Sequence, residues 1–138
     1  MDFVEQLGDL PRALADEAYE LGSDEAREAH GAPFVSWVGA AEERFRYLSG
    51  SAQPTWYQSS PQSRRGFCPK CGTTLFFTST VCPGEIHVAR PAIPGPIDRD
   101  PQCHVFYDQH AEWAEMSDAL PRYATDDPGL AKFKAVRR

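Results

Sequence analysis

The sequence predicts a mainly β domain with a helical N-terminal arm, on three observations. Short runs of β-branched and aromatic residues recur from Phe34 to Tyr107. Twelve prolines and ten glycines break the chain into short pieces, which favours turns over long helices. Apolar residues at helical spacing are confined to the acidic first segment, where the β-type alternation is missing.

Residues 9–29 read as helix. Pro11 suits a first turn after Asp9, and Leu10, Leu14, Ala18 and Leu21 share a helical face. Gly22 is placed to end that helix. Ser23 is placed to cap a second, short one with Asp24 and Glu25 in its first turn. From Gly31 the texture changes. Strands are expected at Phe34–Val38, Phe45–Leu48, Thr55–Gln58, Arg65–Phe67, Thr73–Thr78, Glu85–Ala89 and His104–Tyr107. Ser49-Gly50-Ser51 and Pro83-Gly84 mark turns between them. The proline-rich stretch 91–101 is expected to be a long loop between sheets. The end of the chain, 125–138, reads as a weak helix or a loose tail. The aromatic residues Trp37, Phe45, Tyr47, Trp56, Tyr57, Phe67, Phe76 and Phe106 are the expected core.

The chain has 138 residues, which fits one domain with one core. Its net charge of −6 is uneven. Residues 1–30 hold nine acids against Arg12 and Arg27, a net of −7, leaving +1 for the rest. Neither part has the basic face that phosphate backbones require, so nucleic acid is not an expected partner. No apolar run approaches the roughly 20 residues that span a bilayer, and Asp2 and Glu5 stand where a signal peptide is positive. A cytoplasmic protein, with no membrane partner, is the expectation.

In a reducing compartment the four cysteines, Cys68, Cys71, Cys82 and Cys103, point to metal or packing roles rather than disulfides. Phe67-Cys68-Pro69-Lys70-Cys71-Gly72-Thr73 is half of a zinc knuckle. A tight turn aims two thiolates spaced in this way at one ion, and Gly72 lets the backbone close. A closed structural zinc takes four ligands, and this motif supplies two. Redox catalysis is disfavoured, because a redox pair opens a helix and here Thr74 to Phe77 follow as strand. A knuckle that has lost its metal is the bland alternative.

Further motifs carry a resemblance. Gly31-Ala32-Pro33-Phe34-Val35-Ser36-Trp37 looks like the segment that follows the cysteine cluster of the CENP-V/GFA (glutathione-dependent formaldehyde-activating enzyme) family. Tyr57-Gln58-Ser59-Ser60-Pro61, Arg64 or Arg65, and Phe67-Cys68 through Leu75 resemble its second signature. Ile97-Asp98, Pro101, His104, Trp113, Asp118 and Leu120-Pro121 follow in the order of its closing segment. The resemblance spans about residues 30–123 and implies a β-tent fold of small antiparallel sheets around zinc. It also implies carbon–sulfur lyase chemistry on thiol adducts typified by S-hydroxymethylglutathione.

The departures fall on the metal. The resemblance implies an early Cys-x-Cys that completes the knuckle's structural site, yet no cysteine precedes Cys68. It implies three further cysteines holding a catalytic zinc, at positions that here are Leu21, Ser23 and Ala26. Only Cys68 and Cys71 are retained as metal ligands, so zinc is expected at most at a degenerate site. The domain reading is a diverged acidic segment 1–29, a CENP-V/GFA-like domain 30–123 and a tail 124–138. The charge step near His30 also fits a first segment that was replaced, or read in another frame. Translation of the upstream DNA checks that origin.

Cys82 and Cys103 read as small buried hydrophobes, since neither has a partner at ligand spacing. His87 is expected to face outward. His104 is expected to point away from its neighbour Cys103, and His110 near Glu112 reads as surface hydrogen bonding. Ser59, Ser60, Arg64 and Arg65 read either as a carboxylate clamp for a glutathione-like ligand or as a solvated turn. By resemblance the chain is a carbon–sulfur lyase acting on glutathione or other thiol adducts. The alternative is a non-catalytic binding or scaffold protein that kept the fold and lost the ion. It is expected as a monomer or homodimer, and a zinc shared through Cys68 and Cys71 of two chains is a third reading.

Overall fold

The structure, a computed structural model, describes residues 17–47, 53–97 and 99–133. Among the described residues it is mainly β, as the sequence predicts, with one short α-helix, Asp24–His30. The strands are β1 (Glu17–Leu21), β2 (Val35–Ala41), β3 (Thr55–Gln58), β4 (Ser63–Phe67), β5 (Thr74–Ser79), β6 (Glu85–Ala89) and β7 (His104–Val105). They join in one seven-stranded sheet in the order β3-β4-β5-β6-β2-β1-β7. Every pairing is antiparallel except that of β1 with β7. The stretch from Pro91 opens with a 3-10 turn at Arg90–Ala92 and carries the chain from β6 past β2 and β1 to β7. Arg90 holds it by donating to the carbonyls of Ile93 and Gly95.

The helix α1 (Asp24–His30) is set by local chemistry. The Ser23 side chain accepts from the Ala26 N–H at 3.2 Å, and Asp24 and Glu25 face the positive end of the helix. Gly31 closes it in the left-handed region at φ 62°, its N–H returning to the Arg27 carbonyl at 2.8 Å. Arg27 then ties the helix to the rest by donating to the carbonyls of Gly22 and Gln109.

Two sequence expectations fail here. Residues 17–21 are strand, not helix: β1 pairs with β2 from Glu17–Gly39 to Leu21–Val35 and with β7 on its other side. Pairing on both edges overrides a weak helical pattern. The remainder of the expected helix, residues 9–16, lies outside the described residues. Phe45 and Tyr47 are not in a strand; their rings pack edge-on against Phe76. Leu48 lies outside the described residues.

The sheet buries both faces, and each strand of its centre therefore divides its side chains between two environments. On one face, the facing pairs Val38–Val88 and Phe76–Val88 build an apolar core. Phe45 and Tyr47 meet Phe76 edge-on there, and Trp56 stacks on it at 6.1 Å. Tyr57, expected in this core, is 64% exposed, because alternation along the edge strand β3 turns it away from Trp56. The opposite face carries the polar residues described next.

Candidate functional site

The second face of the sheet lies under a cavity of about 430 Å³. Its floor follows from register. Arg65 faces Phe77, Phe77 faces His87, and Ser63 faces Ser79, so their side chains share one side. On β2 the positions facing His87 and Glu85 are Gly39 and Ala41, too small to fill the space above the sheet. Leu21, Val105, Phe106 and Leu130 give the cavity an apolar wall, and α1 contributes Glu25 beside its cap Ser23.

Arg65 is the cavity's buried cation. It is 6% exposed, and its Nε and Nη1 have no hydrogen-bond partner among the described residues. Its contacts are a long ion pair to Glu25 Oε1 at 3.8 Å and the Phe77 ring at 5.1 Å from Cζ. Burial, the largest influence, pulls its pKa down, while the Glu25 carboxylate pushes it back up. A solvated turn is thus ruled out for Arg65, which lies within β4. Arg64, on the other side of the strand, is exposed and covers Trp56 at 4.7 Å. Ser60 lines the cavity as well.

His87 and Cys82 are where the sequence reading errs most. His87 does not face outward. It is 4% exposed, because β6 is an interior strand with both sides covered. Cys82 is not a core thiol. It is half-buried on the cavity wall, with Sγ 3.7 Å from His87 Nε2. Glu85 Oε2 stands 3.9 Å from the same nitrogen, and the Glu85 side chain is 3% exposed. The three ligand atoms lie within 4.8 Å of one another. Nδ1 of His87 shares a 2.8 Å hydrogen bond with the Tyr19 hydroxyl. A strand sends residues i and i+2 to one side, so Glu85-x-His87 was a legible signal; the fold of Cys82 back over it was not.

The other candidates sit elsewhere. Cys103 is a buried core thiol, 1% exposed, as expected, although it also touches the cavity. His104 is buried and bonds Asp118 at 2.9 Å. That bond, above all, holds the Asp118 carboxyl below its ordinary pKa. His110 stacks on Tyr107 at 4.0 Å and donates from Nδ1 to the Tyr107 carbonyl at 2.5 Å.

Cys68 and Cys71 form the expected tight turn, with Gly72 N–H donating to the Cys68 carbonyl at 2.8 Å and Gly72 at φ 76°. Cys68 is buried and Cys71 is exposed. The Thr73 hydroxyl, 3.0 Å from Cys71 Sγ, is the main cause of that thiol's lowered pKa. Neither cysteine lines the cavity. Cys82, Glu85 and His87 are the one grouping of three such ligands among the described residues, so no third donor joins the knuckle there.

The family model for glutathione-dependent formaldehyde-activating enzyme matches residues 23–109. That is more than half of the chain. The chain belongs to the glutathione-dependent formaldehyde-activating enzyme family. A comparison with curated proteins gives no match. Zinc is the metal this family implies, and the residues at the three positions that the resemblance assigns to its catalytic site do not fit it. Leu21 and Ala26 offer no donor atom, and the Ser23 oxygen accepts from the Ala26 N–H. Leu21 and Ser23 nonetheless line the cavity. No helix among the described residues is long and apolar enough to cross a membrane.

Proposed function

We propose that this family member binds a small acidic thiol or thiol adduct of the glutathione type in the cavity, with Arg65 holding one of its carboxylates. The observation that carries the reading is a guanidinium 6% exposed, with two polar nitrogens unsatisfied by hydrogen bonds among the described residues, on the wall of a cavity of about 430 Å³. That volume is within the roughly 300–1,000 Å³ range of small-molecule sites. A buried donor without an acceptor costs about 1–3 kcal/mol, and more when charged. A carboxylate arriving from solvent removes that cost and meets a planar fork shaped for it. Glu25 offers a partner for the ligand's ammonium, and the apolar wall receives its sulfur and carbon atoms.

Calorimetry with S-methylglutathione and the full chain tests this. Binding is expected, and Arg65→Gln should weaken it by about 10- to 150-fold, the size of one charge-assisted hydrogen bond. Equal affinity in wild type and variant, with the variant shown to be folded by circular dichroism, would remove Arg65 from the site.

The carbon–sulfur lyase activity of the family is the second reading, favoured by His87 Nε2 and Cys82 Sγ standing 3.7 Å apart beside the cavity. Reversible addition of a thiol to formaldehyde moves one proton between sulfur and the new hydroxyl. A histidine nitrogen is suited to hold that proton near neutral pH. Formaldehyde release from S-hydroxymethylglutathione separates the two. Turnover lost in His87→Gln selects the lyase, whereas binding without turnover selects the binding protein.

A further inference from the structure

We infer that Cys82, Glu85 and His87 form a zinc-type divalent-cation site, made of other residues than those the resemblance assigns to the family's catalytic zinc. The donor set is one thiolate, one imidazole and one carboxylate, each an ordinary zinc ligand. Two donors at about 2.3 and 2.1 Å from a tetrahedral ion stand roughly 3.6 Å apart. Cys82 Sγ and His87 Nε2 are 3.7 Å apart, and Glu85 Oε2 and His87 Nε2 are 3.9 Å apart. The Cys82–His87 edge therefore matches a tetrahedral ion to about 0.1 Å, and the Glu85–His87 edge lies about 0.5 Å beyond the roughly 3.4 Å of an oxygen–nitrogen pair.

The surroundings agree with an ion. The Tyr19 hydroxyl, 2.8 Å from Nδ1, is able to accept from Nδ1–H, and that tautomer leaves the Nε2 lone pair to the metal. An outer hydrogen bond on the second ring nitrogen orients metal-binding histidines in the same way. A thiolate and a carboxylate neutralise a doubly charged cation, which offsets the cost of burying Glu85 at 3% side-chain exposure. The backbone is shaped for it too. Gly84, at φ 78°, turns the chain so that Cys82 meets the first and third residues of β6.

Three ligands leave one tetrahedral position, and all three residues line the cavity, so that position faces the bound molecule. Its expected occupant is the sulfur or hydroxyl oxygen of the thiol adduct. That detail rests on the binding reading above; the cation site itself does not.

Cobalt(II) titration of the full chain, stripped of metal by a chelator, tests the site through thiolate-to-cobalt charge-transfer absorption. Expected are about one cobalt per chain, a charge-transfer band that zinc abolishes by displacement, and loss of that band in Cys82→Ser. Tyr19→Phe should weaken cobalt by about 10- to 100-fold. The double variant Cys68→Ser/Cys71→Ser should retain the band. A wild type without the band overturns the site. So does a band that survives Cys82→Ser and vanishes in the knuckle variant. Addition of S-methylglutathione should perturb the band; an unchanged band under ligand shown to be bound overturns the fourth-position contact. Cobalt binding without S-methylglutathione binding overturns the earlier reading and supports the metal site.

Discussion

Arg64 and Arg65 are adjacent, yet alternation along β4 sends one to solvent over Trp56 and the other under the cavity. The buried charge has a second effect. His30, T-shaped against Trp37 at 5.3 Å, has its pKa pushed down to about 4, first by burial and then by the Arg65 charge. Its Nε2 is buried without a hydrogen-bond partner among the described residues, which favours the neutral ring. Unfolded, His30 titrates near 6.5. Between pH 6.5 and 4 the unfolded chain thus binds more protons than the folded one, so this contribution to stability is full above pH 6.5 and falls as pH drops towards 4. The ring is only half-buried, and screening limits the loss to about 1–2 kcal/mol. Urea unfolding at pH 7 and pH 5 should show a smaller difference for His30→Gln than for wild type. In Arg65→Gln the His30 pKa should rise, followed by NMR titration of its ring protons. A His30 that titrates unchanged would place Arg65 away from it.

At the level of the element, α1 shows what a local signal can and cannot settle. Its N-terminal cap was legible, because Ser23, Asp24 and Glu25 act within one turn of where they stand in sequence, whereas the closing role of Gly31 came from the structure. Ser23→Ala should cost about 1 kcal/mol through the lost cap. Gly31→Ala should cost about 1–2 kcal/mol from backbone strain alone, since an added Cβ there meets nothing within 4 Å. Gly31→Asn should recover part of that loss, as thermal unfolding of the three variants will show. Residues 17–21 carried no such signal. Their strand identity is conferred by β2 and β7, and β7 lies more than eighty residues away in sequence. The site divides the same way. Glu85 and His87 share a side by strand period alone, but which side became the cavity depended on Gly39 and Ala41 in a neighbouring strand. The pairing of Cys82 with them depended on the turn at Gly84, and the burial of Arg65 on the strands beside β4.

Across the whole molecule, the sheet divides two packings: Phe76 with Phe45, Tyr47 and Trp56 on one side, and on the other the cavity with its buried charges beside Trp37 and Phe77. Gly66 tests that separation. It pairs with Phe76, on the core side, one residue from the cavity-facing Arg65. A Cβ at Gly66 would stand 3.2 Å from Phe76 Cβ, Phe76 Cδ2 and Trp56 Cη2. The Trp56 ring end can yield, but Phe76 Cβ is fixed to its strand and its ring is held by Phe45, Tyr47 and Trp56. Gly66→Ala should therefore destabilise the fold by about 1–3 kcal/mol, as overpacking of a filled core does, read from the urea midpoint. Because the strain falls behind the sheet, S-methylglutathione affinity at a temperature where the variant is fully folded should equal that of wild type. A fall in affinity comparable to that of Arg65→Gln would mean that strain passes through β4 to the cavity, and the two faces would then have to be treated as one packed unit.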